Sequence, residues 1–366
     1  MPIYMDRHDL NDAITAEHVA NIHQEDLKIE HEFGCKGLTY WFDDHRKTAF
    51  CLIKAPNKEA LIEMHNKAHG AIPNSIIEVD PNIVESFLGR IEDPVKAKND
   101  TLNVIKDPAF RVLMFVDIPL SKLNAGNRES RRTKLRSFHR LLKEQVKSFN
   151  GRMVKDSMFS SLISFQSVSD AMSCSLGIQS GFRSLSGNAE AFRLKIGLSS
   201  GIPISEREGI FEDTIEMAER LSKVVNGEIV ISSEVKELYQ SENLNKSIDQ
   251  NLVRYLNPSD EKFLKIFMDF LDASWNNPSL KVDDFSCSLG LSKSQLYRKI
   301  KSITGVSLNL FLKDYRLQMA LKLLDRQHGN VSEVAFDTGF NSPAYFSKCF
   351  YEAYGVLPSH YVKDHD

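Results

Sequence analysis

The chain has 366 residues, 26% charged and 42% hydrophobic, with a formal net charge of −3. That is room for two or three globular domains, and no run is apolar enough to span a membrane. The charge is unevenly spread: residues 1–95 hold nine Lys/Arg against seventeen Asp/Glu, residues 96–259 twenty-four against nineteen, and the remainder thirteen against thirteen. Five scattered cysteines (Cys35, Cys51, Cys174, Cys287, Cys349), none in a CxxC pair, indicate neither a disulfide frame nor a thiolate zinc site and read as reduced core residues. The start, MPIYMDRHDL, lacks the apolar run of a signal peptide, so the expected location is cytoplasmic.

In chain order, a strand at Ile3 to Met5 precedes a helix with Val19, Ile22 and Leu27. Strands follow at Leu38 to Phe42 and Thr48 to Lys54, then a helix opened by Pro56 and Asn57 that carries Leu61, Ile62 and Met64, and a strand at Ile76 to Val79. This order predicts a small α+β, ferredoxin-like unit over 1–92. Seven of the eleven histidines fall in the first seventy residues, and His65 and His69, four apart on a helix, can face one ion from consecutive turns. Surface solvation is the alternative for such a pair. The runs HQEDLKIE (23–30), AFCLIKAPNKEALIEMHNKAHG (49–70) and IIEV (76–79) resemble a small bacterial ferredoxin-like family described as nickel-binding. The resemblance implies a site for nickel or another divalent transition metal at His65 and His69, with His8 and His23 as further candidates, and the −8 balance suits a cation.

Residues 93–109, with prolines and charges, read as a linker into a middle domain at 110–240. There FRVLMFVDI (110–118) is a buried strand ending in an acid. A basic amphipathic helix follows, with Arg128, Arg131, Arg132, Lys134, Arg136 and Arg140 outside and Leu135, Phe138, Leu142 and Val146 inside. Its polar side reads as a solvated face, with DNA phosphates or a nucleotide as alternatives. Next come a turn at Asn150-Gly151, a hairpin from Met153 to Phe165, a helix from Ser169 and Asp170, a strand at Leu194 to Gly201, a helix through Ile215, Ala218 and Leu221, and a strand at Glu228 to Ser232. FVDI, NGRMVKDS (150–157), LKIGLSSG (194–201), AERL (218–221) and NGEIVISSEV (226–235) resemble, in order and spacing, the class III nucleotide cyclases. That resemblance implies a second α+β, ferredoxin-like core and two metal-binding aspartates. Asp117 matches the first, but Phe159 stands at the second, and the Asn-xxx-Arg pair becomes Glu216 and Arg220. Phenylalanine cannot ligate magnesium, so the domain is expected to be degenerate and the protein not an enzyme. An active cyclase using Asp156 as a displaced ligand is the alternative.

A second linker is expected at 241–260, then an all-α domain at 261–366 beginning with a helix from Phe263 to Leu271. Here one punctuation occurs twice. Val282, Phe285 and Leu289 lead to Gly290, then Ser292 caps a helix with Leu296 and Ile300 inward. Val331, Val334 and Ala335 lead to Gly339, then Ser342 and Pro343 open a helix with Phe346 and Phe350 inward. A helix from Leu308 to Leu324 links the two copies. GLSKSQLYRKIKSITG (290–305) and GFNSPAYFSKCFYEAYGVLPSHY (339–361) resemble the double helix-turn-helix DNA-binding domain of AraC/XylS transcription regulators. The resemblance implies double-stranded DNA as partner, with Ser294, Tyr297 and Arg298 in the major groove from one helix and Pro343, Ala344, Tyr345 and Lys348 from the other. Lys293, Arg298, Lys299 and Lys301 crowd the first helix. The expectation is a homodimeric regulator whose effector, a metal or a nucleotide, binds in the first or middle domain.

Overall fold

The computed structural model describes residues 1–95, 102–118, 128–157, 160–186, 194–205, 207, 209–224, 229–244, 248–249 and 251–363. Its first unit runs β1 (Ile3–Asp9), α1 (Ala16–Ile29), β2 (Lys36–Asp43), β3 (Thr48–Lys54), α2 (Lys58–Ala68) and β4 (Ser75–Glu78), with the sheet ordered β2-β3-β1-β4. All its pairings are antiparallel. Thr15 and Asn57 cap α1 and α2 through their side-chain oxygens. Because strand side chains alternate, Tyr4, Tyr40, Cys51 and Ile53 pack under the helices with Val19, Leu61 and Met64. Met5, Trp41, Phe50 and Leu52 point the other way, onto α3 (Pro81–Leu88).

The middle unit repeats that connectivity. β5 (Arg111–Asp117), α4 (Arg128–Ser148), β6 (Arg152–Asp156), β7 (Ser160–Phe165), α5 (Val168–Ser186) and β8 (Lys195–Gly201) give the strand order β6-β7-β5-β8. α6 (Glu212–Lys223), β9 (Ile229–Ile231), α7 (Ser233–Glu242) and β10 (Val253–Tyr255) extend it to six strands, β9 and β10 joining in parallel. α4 and α5 cover one face, over Val112, Met114 and Val116. α6 covers the other so closely that a Cβ on Gly197 would lie 2.0 Å from the Ala218 carbonyl oxygen, which is why glycine stands there.

Both expected linkers carry structure. Leu102, Val104 and Ile105 pack onto the first core, and the Tyr40 hydroxyl donates to the Asn103 carbonyl while accepting the Ile105 amide. The stretch 241–260 contributes β10, whose Val253 and the following Leu256 are buried. Polar neighbours hid so short a strand.

The first two units share a core in which Met5, Trp41 and Phe87 meet Leu113, Leu162 and Phe211. Buried Arg111 fastens it, Nε donating to the Phe87 carbonyl at 3.2 Å and Nη2 to Leu88 at 3.1 Å, the C-terminal carbonyls of α3. Nη1 donates to Pro108 at 2.5 Å and Phe110 at 2.9 Å. Burial lowers the Arg111 pKa to about 10, opposed in part by Asp107.

The C-terminal unit is helical: α8 (Pro258–Ser274), α9 (Val282–Leu289), α10 (Lys293–Thr304), α11 (Leu308–Asp325), α12 (Val331–Asp337), α13 (Pro343–Tyr354) and α14 (Pro358–Lys363). α11, about 27 Å long at 1.5 Å per residue, belongs to two cores. Leu308, Phe311, Leu312 and Tyr315 pack with α8 to α10, and Leu317, Ala320, Leu321 and Leu324 with α12 to α14. The first of these cores also takes in Leu221, Val224, Val230 and Leu256, so the helical unit is docked on the middle sheet. No helix among the described residues is long and apolar enough to cross a membrane. Four cysteines are buried as expected, but Cys287 is exposed, on the outer side of α9.

Replacing Arg111 by Met keeps the bulk but orphans buried carbonyls, and should cost about 2–4 kcal/mol of stability. A lowered urea midpoint is the measurement, and an unchanged midpoint would remove this residue from the joint.

Candidate metal centre and DNA-reading helices

The inward edge of β1 carries Tyr4, Asp6 and His8, an unusual place for an acid. Asp6 is fully buried and accepts the Cys51 amide at 3.0 Å. His65, also fully buried, bridges two acids: Nε2 lies 2.9 Å from Asp6 Oδ2 and Nδ1 3.0 Å from Asp26 Oδ1. His69 Nε2 is 3.1 Å from the same Asp26 oxygen and 3.1 Å from His65 Nδ1. His8 joins from the side, its Nε2 3.4 Å from Asp6 Oδ1. His23 does not join the cluster: it packs against Tyr40 with Nε2 3.2 Å from Asp93 Oδ2. Sequence reasoning missed Asp6, Asp26 and Cys51, the other members of the two potential ligand groups. An acid at an inward position of an apolar strand or helix was the available signal.

Burial disfavours charge on His65, but its hydrogen bonds to Asp26 and Asp6 outweigh that and push the pKa up to about 10. Burial likewise raises Asp6, yet His8 and His65 hold it below the ordinary carboxyl value. Without a metal the centre is therefore an imidazolium between two carboxylates.

The fit to a transition metal follows from the triangle of Asp26 Oδ1, His65 Nδ1 and His69 Nε2. Ligands about 2.1 Å from an ion and at right angles to each other lie about 3.0 Å apart, so these three atoms outline one face of an octahedron. Asp6, accepting from His65 Nε2, would hold that ring as metal-bound histidines are commonly held. His69 is less ready: its Nδ1 accepts the Ala71 amide at 3.1 Å, so a neutral ring carries its proton on the metal-facing Nε2. Ligation there requires that bond to open. At His65 an ion would displace the Nδ1 proton shared with Asp26, whose carboxylate fits as it stands.

In the C-terminal unit the two expected turns form alike. Gly290 and Gly339 take φ of 63° and 75°, and the Ser292 and Ser342 hydroxyls accept the Gln295 and Tyr345 amides. Ser294, Tyr297 and Arg298 are exposed on α10, as are Ala344, Tyr345 and Lys348 on α13, with Pro343 half-buried at its start. The charge on α10 is smaller than its sequence suggests. Lys293 pairs with Asp283 and Lys299 with Asp260, each at 2.5 Å, whereas Arg298 and Lys301 have no acidic partner among the described residues.

In the middle unit Phe159 lies outside the described residues. Asp117 pairs across the sheet with Ser160, whereas Asp156 pairs with Ser161 and is held by His139 and Lys143 of α4. Successive residues face opposite ways, so the two acids lie on opposite faces and cannot share an ion, against the displaced-ligand alternative. Burial raises the Asp117 pKa, with Lys195, Lys223 and Lys322 opposing. Glu216 and Arg220 are engaged with the helical unit: Arg220 Nη2 lies 2.6 Å from Glu216 and 2.5 Å from Asp269 of α8, and Nη1 donates to the Lys265 carbonyl at 3.1 Å. The exposed Arg136, Arg140, Lys143 and Lys147 of α4 lie across the sheet from α6, whose face meets α8. The side chains of Arg128, Arg131, Arg132 and Lys134 lie outside the described residues.

Residues 4–79 match the family of nickel responsive proteins like SCO4226, and residues 286–364 match a helix-turn-helix domain family. The chain is 37% identical over 102 residues to histidine kinase P4 of Formosa agariphila, covering 28% of this chain and 7% of that protein. It is 36% identical over 90 residues to the HTH-type transcriptional regulator MtrA of Neisseria gonorrhoeae, covering 25% of this chain and 28% of the regulator. The solved structure of SCO4226 from Streptomyces coelicolor is 31% identical and covers 21% of this chain and 94% of that one, with a TM-score of 0.20. The chain thus spans less than a third of the length of these two curated relatives.

Removing the imidazole with His65→Ala leaves Asp6 and Asp26 as buried carboxylates without their shared partner. The expected cost is about 3–5 kcal/mol, read from urea denaturation of the metal-free protein. A loss near zero would contradict the ion chain.

Proposed function

We propose that the chain is a sequence-specific, DNA-binding transcription regulator of the AraC type, controlled by a divalent transition metal, nickel foremost, in its first unit. The observation that carries the DNA reading is the repeated, capped turn that leaves Ser294, Tyr297 and Arg298 on α10, and Pro343, Ala344, Tyr345 and Lys348 on α13, facing outward from one shared helix. The match of residues 286–364 to helix-turn-helix domains supports it. On this reading Arg298 pairs with guanine, while Lys301, beside the Tyr297 ring, neutralises a phosphate. A DNA partner fits a cytoplasmic place of work, and two copies on paired sites fit a homodimer.

The metal reading rests on the Asp26–His65–His69 triangle, supported by the family match over 4–79. Asp26, His65 and, once its bond to the Ala71 amide opens, His69 would hold the ion, Asp6 would orient His65, and the bound ion would supply fixed positive charge where a proton now sits. His8 stays a neighbour, and His23 leaves the ligand set. We read both α+β units as ferredoxin-like, because each follows a βαββαβ order with one strand permutation. The middle one is read as a degenerate cyclase-like domain in which Glu216 and Arg220 dock the helical unit. The protein is then no enzyme, and an effector nucleotide is the second reading.

Arg298→Ala should cost about 1–3 kcal/mol at one base position, and Lys301→Ala should weaken binding evenly across sequences while reducing the salt slope by about one. Binding to duplexes with single base changes checks both, and an even loss for Arg298→Ala would make that residue a phosphate contact. For the metal, calorimetric titration of nickel into the stripped protein should show binding that His69→Ala weakens at least about tenfold. No heat, or equal heat in both proteins, would remove this triangle from the account.

A further inference from the structure

The segment 253–260 leaves the middle sheet and enters the helical unit, and it touches α10 twice. Arg254, in β10, reaches the last turn of α10, donating from Nη1 to the Ile303 carbonyl at 3.1 Å and from Nη2 to the Ser302 carbonyl at 2.6 Å. Those carbonyls lack intrahelical partners, and a cation suits the negative end of the helix. Asp260, in the first turn of α8, lies 2.5 Å from Lys299 Nζ, one turn earlier on α10, and is itself held by Asn257 at 3.0 Å. Between the two contacts, Leu256 is buried in the core that holds Leu296, Ile300 and Ile303, and its amide donates to the Ile231 carbonyl of β9 at 3.3 Å. The segment is thus fixed to the sheet on one side and to α10 on the other. Among the described residues α13 receives no hydrogen bond or ion pair from the middle unit.

We infer that Arg254 and Asp260 are positioning residues for the first recognition helix, so that β10 sets the angle at which α10, but not α13, meets DNA. This rests on the DNA-reading role of α10. Two contacts a turn apart on one helix fix both its rotation about its axis and the direction of its C-terminal end. A displacement of the middle sheet is carried to Arg298 by turning α10 against α11, which leaves α13 where it packs on the other half of that helix. Regulation of the first half-site by whatever the upstream units bind then needs no other route.

The test uses the full chain and a duplex that it selects from a random-sequence pool, beside an unselected duplex of equal length at the same salt. Arg254→Met should weaken binding to the selected duplex by about tenfold and to the unselected one by less than about twofold, so the specificity ratio falls. Discrimination should be lost at the bases that Arg298→Ala identifies and kept elsewhere in the site. Arg254→Lys, which can still donate to one carbonyl, should recover part of the loss. Asp260→Asn, which removes the charge opposite Lys299, should act in the same direction and supplies the answer if Arg254→Met does not fold. Equal losses on both duplexes, or unchanged affinities in both variants, would overturn the inference. Failure of the unaltered chain to select any sequence would instead overturn the DNA-reading role itself.

Discussion

The buried guanidinium of Arg220 is the constraint on which the architecture turns. It lies between Glu216 of its own helix and Asp269 of α8, and also holds the Lys265 carbonyl. Arg207 adds a second cation, 2.9 Å from Glu216 and 3.4 Å from Asp213. An arginine so buried is stable only while its acids stay in place, so separating α8 from α6 would leave an uncompensated charge. That cost makes the docked arrangement of the helical unit specific as well as apolar. Glu216 and Arg220 thus serve a joint between the middle and helical units.

A similar device works at the other end of the middle unit. Arg111 ties the C-terminal carbonyls of α3 to β5, and Ser164 donates to the Phe87 carbonyl as well. The core beneath joins the two sheets without a gap in its apolar contacts. A change at the Asp6–His65–Asp26 chain on β1, α1 and α2 therefore has a packed route through the first sheet and α3 to the middle sheet, and through α6 and β10 to the helical unit. Packed layers pass on displacements because they have little room to absorb them.

Features were legible in the sequence where their cause is local. Gly290, Ser292, Gly339, Ser342 and Pro343 mark both turns because φ, capping and the missing proline amide act within a few residues. The order of elements in the first unit was legible for the same reason. α3 had a clear start, Asp80 before Pro81, yet eight residues gave too little periodicity to notice. What pairing over distance creates was not legible. Asp6 and Asp26 gain meaning from a histidine 59 and 39 residues away, and Lys299 loses its apparent freedom to Asp260, 39 residues earlier. The opposite faces of Asp117 and Asp156 depend on a strand register that no local pattern reports.

The most direct test is the affinity of the metal-stripped full chain for its selected duplex, at fixed salt, with and without nickel. Coupling through the packed route predicts a change of about fivefold or more, the lower end of ordinary allosteric coupling, and by linkage the duplex must change the nickel affinity by the same factor. Identical affinities with the metal bound would contradict control by the metal and leave the first unit without a regulatory role.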